Sequence, residues 1–285
     1  MKDILSEIIA HKQIEIAQQK QAVSIEHLQK TVDAMMQEEA DAQPTDRVQH
    51  RSMKRALATS ASGIIAEFKR RSPSKGWIKQ EAQAHLIPPA YEAAGAAALS
   101  ILTDEMFFSG TLRDIRTARP LVNLPILRKD FIIDEYQLMQ ARIVGADAVL
   151  LIAACLTPDR CHELTLQAHE LGLEVLLELH TPSEFSHICK ETDMIGINNR
   201  NLGSFVTHVE NSFRIAEQLK ETIAQIKFET APVLVSESGI SSPETIRELR
   251  STGFQGFLIG ETFMRTENPG NALKELIGGV STFNS

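Results

Sequence analysis

Apolar residues in the first thirty positions recur at the spacing of an α-helix. The apolar face consists of Ile4, Leu5, Ile8, Ile9 and Ile16. Lys, Glu and Gln occupy the other faces, so the pattern predicts an amphipathic helix that packs against another surface. The following residues 31–50 are polar and contain Pro44. We expect a connector there, with at most a short helix.

From Gly63 onward, short apolar runs alternate with longer segments of helical period. This alternation indicates βα units on a parallel sheet. The predicted strands are 63–69, 97–103, 125–131, 148–153, 174–179, 194–199, 232–237 and 256–260. The predicted helices are 84–94, 112–121, 135–144, 158–171, 182–191, 210–226, 243–251 and 271–277. Several of them open with a Thr-Pro or Ser-Pro pair, which suits a first helical turn.

Eight strands and eight helices in about 220 residues match the size of a (β/α)8 TIM barrel. The alternative is a doubly wound open sheet, which usually has a glycine-rich GxGxxG or P-loop turn after its first strand. Neither motif occurs in this sequence. We therefore predict an α/β fold, a (β/α)8 barrel over residues 51–285, with a helical extension over residues 1–50 that packs on it.

Charged and amide side chains occur near the carboxyl ends of several predicted strands, where strands buried on both faces should be apolar. These residues are Glu67, Lys69, Lys129, Glu178, Asn198, Arg200, Glu237 and Ser238. Barrel enzymes place their chemistry at this end of the strands. A structural ion pair would explain any one of them alone. The whole set indicates a catalytic mouth in which charges pair with each other or with a ligand.

Other features near the predicted mouth have two possible explanations each. Gly239 and Gly260 follow the last two strands, where many barrels bind phosphate through backbone N–H groups. They could equally serve tight turns. The basic loop 69–77 could cover an anionic substrate or form solvated surface. Phe107 and Phe108 could form an apolar wall or simply pack within a loop.

Composition narrows the class of function. The formal charge of -8 argues against a nucleic-acid partner, which normally requires a broad basic face. Cys155, Cys161 and Cys189 are odd in number and form no CxxC pair, so neither a disulfide framework nor a zinc site is expected. Neither a signal peptide nor a membrane-spanning run is recognised. We expect a cytoplasmic protein with no membrane or nucleic-acid partner.

Several sequence blocks, in this order along the chain, resemble the indole-3-glycerol-phosphate synthase family. They are IIAEFKRRSPSKG, ALSILTDEMFFSG, PILRKDFIIDEYQ, GADAVLLIAA, LLELH, IGINNRNL, VSESGI and FLIGETFM. The N-terminal ILSEIIAHKQIEIA is similar to the family's extra helix before the barrel. The blocks span residues 63–264, and three of them (KRRSPSKG, LRKDF and INNRNL) are specific in combination.

The resemblance implies a carboxy-lyase of tryptophan biosynthesis that needs no cofactor and no metal. Its substrate is 1-(2-carboxyphenylamino)-1-deoxyribulose 5-phosphate, an anionic phosphosugar. The enzyme closes the indole ring and releases carbon dioxide and water, giving indole-3-glycerol phosphate. We expect a monomer, because no apolar face remains without an internal partner in the predicted fold.

The resemblance also implies roles for individual residues. Lys129 matches the general acid on the substrate ketone, and Glu178 matches the acid/base carboxylate of ring closure and dehydration. Lys69 matches a lysine of the later dehydration. The family's residues that hold the substrate hydroxyls and the catalytic lysines are matched here by Glu67, Asn198 and Glu237. The residues that match substrate- and phosphate-binding positions are Ser72, Phe108, Phe131, Arg200, Leu202, Ser238, Gly239, Gly260 and Glu261.

Within this set, Arg200 is implied to orient carboxylates, and Phe108, Phe131 and Leu202 to form the wall around the anilino ring. At Glu261 the family often has serine, so only the backbone N–H is expected to bind there. The reaction needs an acid for the ketone oxygen and a carboxylate for the positive charge of the attacking ring.

Two other functions remain open from the sequence. One is a different phosphosugar barrel enzyme, such as an isomerase, for which a general-base Cys or Asp at the mouth is expected. The other is a barrel that has lost catalysis and serves as a scaffold. The presence of Lys129, Glu178 and Lys69 argues against both.

Overall fold

A computed structural model describes residues 4–42, 51–201 and 206–281 of the chain. Its centre is a closed barrel of eight parallel strands, each paired with its neighbours in sequence and the last with the first. The strands are β1 (Ile64–Phe68), β2 (Ala98–Leu102), β3 (Ile126–Lys129), β4 (Ala148–Ile152), β5 (Glu174–Leu179), β6 (Met194–Asn198), β7 (Val233–Glu237) and β8 (Phe254–Ile259). The predicted barrel is therefore confirmed.

Helices surround the barrel and precede it. They are α1 (Ile4–Ala22), α2 (Ile25–Asp41), α3 (Met53–Thr59), α4 (Ile87–Ala93), α5 (Glu105–Phe108), α6 (Leu112–Ala118), α7 (Glu135–Val144), α8 (Pro158–Glu170), α9 (Glu210–Gln225), α10 (Pro243–Ser251), α11 (Glu261–Met264) and α12 (Pro269–Ser281). Short 3-10 helices cover Arg119–Leu121, Ala153–Cys155 and Pro182–His187. No helix within the described ranges is long and apolar enough to cross a membrane.

The barrel has an inner and an outer apolar layer because strand side chains alternate between two faces. Ile65, Leu127, Leu176 and Val235 belong to the inner cluster. The residues between them pack outward against the helices in a second, larger cluster. Helix α3 contributes Met53 and Leu57 to the inner cluster, so it closes the end of the barrel opposite the strands' carboxyl ends.

Hydrogen bonds to the first residue of β5 hold α3 in this position. The carboxylate of Glu174 accepts a hydrogen bond of 2.5 Å from the Ser52 hydroxyl and one of 2.9 Å from the Lys54 backbone N–H. Ser52 also caps α3 by accepting from the N–H of Arg55. One serine therefore both starts the helix and ties it to the barrel.

The N-terminal extension packs on the outside of α7. The Tyr136 hydroxyl lies within hydrogen-bonding distance of the carbonyls of Gln19 (3.1 Å) and Val23 (2.9 Å), and Lys20 pairs with Asp134 at 2.7 Å. Residues 43–50 lie outside the described residues. The predicted division into an extension over 1–50 and a barrel over 51–285 therefore stays a prediction.

Two helix predictions were wrong. Residues 31–41 are part of α2 rather than a connector, because Ser24 caps the helix and Val32 is fully buried in the outer core. Segment 182–191 forms only the 3-10 helix Pro182–His187. Thr181 and Glu184 make a capping box at its start, but Ile188 already has an extended backbone. In both segments the tertiary contacts outweighed the local pattern.

Candidate functional site

A cavity of about 830 Å³ lies at the carboxyl ends of the strands. It is lined by every predicted site residue except Leu202, which lies outside the described residues. The predicted residues at the cavity are Glu67, Lys69, Ser72, Phe108, Lys129, Phe131, Glu178, Asn198, Arg200, Glu237, Ser238, Gly239, Gly260 and Glu261. Their individual roles stay predictions, since position alone does not assign a role.

The charged residues continue the inward-facing rows of the strands. Two residues after the inner-core positions of β1, β3, β5 and β7 come Glu67, Lys129, Glu178 and Glu237, respectively. Side chains two positions apart on a strand share a face. The same alternation that fills the barrel with aliphatic side chains therefore points these four charges into its mouth.

Lys129 lies at the centre of this group. Its Nζ is 3.4 Å from Oε2 of Glu178 and 3.6 Å from Oε2 of Glu237. Burial alone would lower the pKa of Lys129, but the charges of Glu178, Glu237 and Glu67 outweigh burial and raise it above its ordinary value. The ammonium form is therefore the one present at neutral pH, and it has a proton to donate.

The two carboxylates that contact Lys129 have opposite pKa shifts. Burial would raise the pKa of Glu178, but the charges of Lys129 and His180 hold it below the ordinary value. Burial, together with the negative charge of Glu178, raises the pKa of Glu237 to about 8. One carboxylate is thus ionised while its neighbour can carry a proton at neutral pH, an arrangement suited to acid and base work.

Lys69 and Glu67 form a second pair at the mouth, with 2.5 Å between Nζ and Oε1. Burial would raise the pKa of Glu67, but the positive charges of Lys69 and Lys129 lower it. Glu67 also explains why residue 260 is a glycine, because a Cβ at that position would overlap the carboxylate and Cβ of Glu67. The glycine is therefore needed for the packing of a charged side chain, whatever its backbone N–H binds.

Gly196 in β6 has the same relation to Glu237, although the sequence analysis did not single it out. A Cβ at Gly196 would overlap Oε1 of Glu237. The glycine in a strand that is otherwise apolar was the available signal, since such glycines mark a close approach by another group. Its partner, however, lies on a different strand and was not visible in the sequence.

Asn198, Arg200 and Ser238 form a polar edge beside the carboxylates. Oδ1 of Asn198 accepts hydrogen bonds from the Arg200 backbone N–H at 3.0 Å and from the Ser238 hydroxyl at 2.9 Å. Ser238 has a φ of 71°, in the left-handed region that non-glycine residues rarely adopt. Such strain is concentrated at functional sites.

The end of the cavity beside β7 and β8 is lined by Ser238, Gly239, Gly260 and Glu261, with Arg265 nearby. The Glu261 carboxylate forms ion pairs with Arg265 and, at 3.3 Å, with Arg200 Nη2. The expectation for Glu261 concerned only its backbone N–H. The side chain has a role of its own, because it offsets the charge of two arginines at the cavity.

Only part of the basic loop after β1 faces the cavity. Ser72, Ser74 and Lys75 line it, and Arg200 Nη1 donates to the Ser74 hydroxyl at 2.5 Å. Arg70 turns away and makes a bidentate pair with Asp114, both bonds 2.7 Å long. Arg71 lies over the ring of Trp77. The loop therefore mixes cavity-lining residues with structural ones.

Apolar side chains form the opposite wall. The rings of Phe108 and Phe131 are 6.1 Å apart, and Leu150 and Ile152 complete the floor. The sequence analysis missed a further contribution: Ile4, Leu5 and Ile8 of α1 also line the cavity. The amphipathic pattern predicted that α1 packs on something, but not that its apolar face reaches the mouth.

A second buried lysine explains how α1 is held there. Nζ of Lys12 lies 3.1 Å from Oδ2 of Asp104, 3.1 Å from Oδ1 of Asp130 and 2.9 Å from Oε2 of Glu15. Lys12 is completely buried. Asp104 caps α5, which carries Phe108, and Asp130 follows Lys129 directly. We call these four residues the Lys12 cluster.

Among the described residues, one group could hold a metal ion: His162, Cys189 and Glu191. These residues lie on α8 and after the 3-10 helix Pro182–His187, and none of them lines the cavity. The donors that line the cavity are carboxylates, amines and hydroxyls, which suit proton transfer to an anionic organic substrate.

Comparisons with known proteins agree with this geometry. The family model for indole-3-glycerol phosphate synthase matches residues 5–276. The indole-3-glycerol phosphate synthase of Bacteroides thetaiotaomicron is 63% identical over 280 residues, covering 98% of this chain and 100% of the relative. That of Neisseria meningitidis serogroup C is 43% identical and covers 94% of this chain and 96% of the relative.

Solved structures support the fold alone. The tryptophan synthase A-subunit of Pyrococcus furiosus has a TM-score of 0.57 at 13% identity, covering 78% of this chain and 98% of that one. The tryptophan synthase subunit alpha of Legionella pneumophila has a TM-score of 0.55 at 15% identity, covering 80% and 96%. Since the family model spans most of the sequence, the chain belongs to the indole-3-glycerol phosphate synthase family, which confirms the resemblance and the predicted carboxy-lyase class.

Proposed function

We propose that the barrel mouth converts 1-(2-carboxyphenylamino)-1-deoxyribulose 5-phosphate to indole-3-glycerol phosphate, with Lys129 and Glu178 at the centre of the reaction. The observation that carries this assignment is the contact of 3.4 Å between Lys129 Nζ and Glu178 Oε2 inside the cavity. An acid and a base of opposite charge, held on strands β3 and β5, meet the needs of ring closure.

In the first step Lys129 donates its proton to the ketone oxygen as the aromatic carbon attacks the ketone carbon. The raised pKa of Lys129 keeps this proton available at neutral pH. The ring becomes positively charged, and the Glu178 carboxylate stabilises that charge. Loss of carbon dioxide then returns the electron pair of the broken C–C bond to the ring.

The last step removes the hydroxyl formed from the ketone, together with a ring proton, as water. This needs an acid beside the hydroxyl and a base beside the proton. We assign the acid to Lys69, whose Nζ is paired with Glu67 at 2.5 Å, and the base to Glu178. Glu237, Asn198 and Glu67 hold the substrate hydroxyls and the two lysines.

The remaining parts of the substrate match the two ends of the cavity. Phe108 and Phe131 form an apolar wall for the anilino ring. Ser238, Gly239 and the backbone at Gly260 and Glu261 bind the phosphate, as loops after the last two strands do in many barrels. Binding energy from the distant phosphate then holds the flexible sugar chain in its reactive conformation.

The test is to add the substrate to the purified chain and follow indole fluorescence together with carbon dioxide release. We expect both signals to rise in a 1:1 ratio. The same substrate without its phosphate should react far more slowly, because the anchoring energy is lost. Absence of any signal above buffer with the complete substrate would reject the proposal. The expected monomeric state and cytoplasmic location stay predictions.

A further inference from the structure

His180 is a half-buried residue next to the reaction centre that the roles above do not use. It lies one position after β5 and two after Glu178, so both side chains point the same way. Its side chain is only 9% exposed, and it does not line the cavity. Nε2 of its ring is 3.3 Å from Oε1 of Glu178. Any effect of His180 on the substrate therefore passes through Glu178.

The two oxygens of Glu178 have different neighbours. Oε2 faces Lys129 at 3.4 Å, and Oε1 faces His180 at 3.3 Å. A carboxylate held on both oxygens cannot rotate freely, whereas one held on a single oxygen can. Lys129 gives up its proton during the reaction as proposed, so its hold on Oε2 weakens at that moment. The contact on Oε1 then helps to keep the carboxylate in place, together with the hydrogen bonds to Asn198 and Glu237.

The backbone of His180 is itself fixed. Its N–H donates to Oε2 of Glu184 at 2.6 Å, and its carbonyl accepts from Nδ2 of Asn211 at 3.4 Å. Neither ring nitrogen makes a well-aligned hydrogen bond within the described parts of the chain. The charged group that the ring contacts is Glu178. The poor alignment does not argue against a role, because hydrogen bonds at active sites often align only when substrate is bound.

We propose that His180 is a positioning residue for the reaction, which holds the Glu178 carboxylate in orientation and in its charged form. The inference rests on the proposed function, since it needs Glu178 to act as a base. The groups that face Glu178 are Lys129 from β3, Asn198 from β6, Glu237 from β7 and His180 from the end of its own strand. His180 is the group whose ring nitrogen faces Oε1, at 3.3 Å.

Removal of this contact changes the competition for a proton between the carboxyls of Glu178 and Glu237. Lys129 and His180 favour the ionised form of Glu178, whereas burial and the negative charge of Glu178 raise the pKa of Glu237. Without His180, the difference in pKa between Glu178 and Glu237 becomes smaller. A larger fraction of Glu178 then carries a proton at neutral pH and cannot serve as a base.

The experiment compares H180L, H180Q and the wild-type chain in steady-state turnover. We expect kcat of H180L to fall roughly tenfold to a hundredfold, the size seen for groups that orient a catalytic side chain. KM should change by less than about threefold, because His180 does not touch the cavity. H180Q should recover most of kcat, because its amide N–H lies close to the position of ring Nε2 and can donate to Oε1.

A pH profile gives a signature that a purely structural histidine would not produce. The acid limb of kcat reports the ionisation of Glu178, so it should move to higher pH in H180L. The matched control is H169L, which removes another histidine–carboxylate pair. Nε2 of His169 lies 2.8 Å from Oδ2 of Asp193, and this pair is away from the mouth. H169L should lower thermal stability while leaving kcat and its pH profile unchanged.

The outcomes separate this inference from the function on which it rests. An active wild type beside an H180L variant with unchanged kcat overturns the role of His180 alone. The same holds if H180Q is as slow as H180L. An inactive wild type overturns the proposed function and this inference with it. If H180L does not fold, H180S replaces it, since serine fits the site and cannot reach Oε1.

Discussion

Two buried lysines, Lys12 and Lys129, lie in chemically similar clusters but serve different ends. Each contacts two buried carboxylates, and burial would lower the pKa of each lysine if those carboxylates did not raise it. The contacts of Lys12 to Asp104 and Asp130 are 3.1 Å each, whereas those of Lys129 are 3.4 and 3.6 Å. The shorter contacts belong to the Lys12 cluster, of which only Asp130 lines the cavity.

The carboxylates of the Lys12 cluster have further partners. Asp130 also pairs with Arg128 at 2.9 Å and accepts from the Thr103 hydroxyl at 2.6 Å, which together with Lys12 keep its pKa low. By contrast, neither oxygen of Glu237 accepts a well-aligned hydrogen bond from the described residues, whereas in the Lys12 cluster this is true only of Oδ2 of Asp104, which faces Lys12. The more fully satisfied cluster stabilises the fold, while the less satisfied one leaves donors and acceptors for a substrate.

The largest expected effect separates the two lysines by activity. K129A should lower kcat by about 10³-fold or more, because the acid for the ketone oxygen is lost. Its thermal unfolding should change little, since Glu178 can take up a proton in place of the missing cation. The measurement is indole fluorescence beside a melting curve, with K190A as the control at a surface lysine whose side chain is 69% exposed. A K129A variant within tenfold of wild type would contradict the comparison.

Substitution of Lys12 should instead lower the stability of the fold. K12M leaves Asp104 and Asp130 without their shared cation, and we expect a loss of about 3–5 kcal/mol of unfolding free energy. The measurement is urea unfolding. K20A on the same helix is the matched control, because its pair with Asp134 is partly exposed and should contribute at most about 1 kcal/mol. Equal losses in the two variants would show that the Lys12 cluster has no special structural role.

A change at Gly196 tests how tightly the open cluster is built. G196A places a Cβ where the Glu237 carboxylate now lies, and such overpacking costs about 1–3 kcal/mol. We also expect kcat to fall, because Glu237 must move away from Lys129. The control is G278A, where an added Cβ meets nothing within 4 Å. If G196A retained both the stability and the turnover of wild type, the packing argument would be wrong.

The smallest expected effect is on the pH dependence of stability. The folded-state pKa of Glu237 is raised from 4.5 to about 8, so the folded chain binds this proton more tightly than the unfolded chain. The resulting stabilisation is complete below pH 4.5 and is lost as pH rises through about 8.

We therefore expect wild type to lose on the order of 1 kcal/mol more than E237Q between pH 7 and pH 8. The measurement is the unfolding free energy of both chains in urea at each pH. Parallel pH curves for the two chains would mean that Glu237 is ionised throughout this range.

Much of the fold was predictable because its signals are local. All eight strands occur within two residues of their predicted bounds, since apolar runs of strand length between helical segments are typical of this barrel. The prediction failed for residues 31–41, where a single buried valine, Val32, and a serine cap sufficed to continue a helix. It also failed after Thr181, where good capping residues begin only a 3-10 helix.

The predicted mouth was accessible to sequence reasoning for a similar reason. Charges two positions beyond inner-core residues on parallel strands must converge at one end of a barrel. The residues that were missed, His180, Gly196 and Lys12, lack such a signal. A histidine after a strand, a glycine within one and a lysine on an amphipathic helix each have common structural explanations, and only their neighbours in space distinguish them.

The sequence by itself determined the order of strands and helices, the end of the barrel at which charges gather, and the residue types available there. Only the tertiary structure decided which carboxylate faces which lysine, that α1 supplies part of the cavity wall, and which of two glutamates holds a proton. The physical reason is that periodicity and capping act between near neighbours along the chain. Burial and electrostatic interactions depend instead on distances between residues far apart in sequence, which are set when the barrel closes.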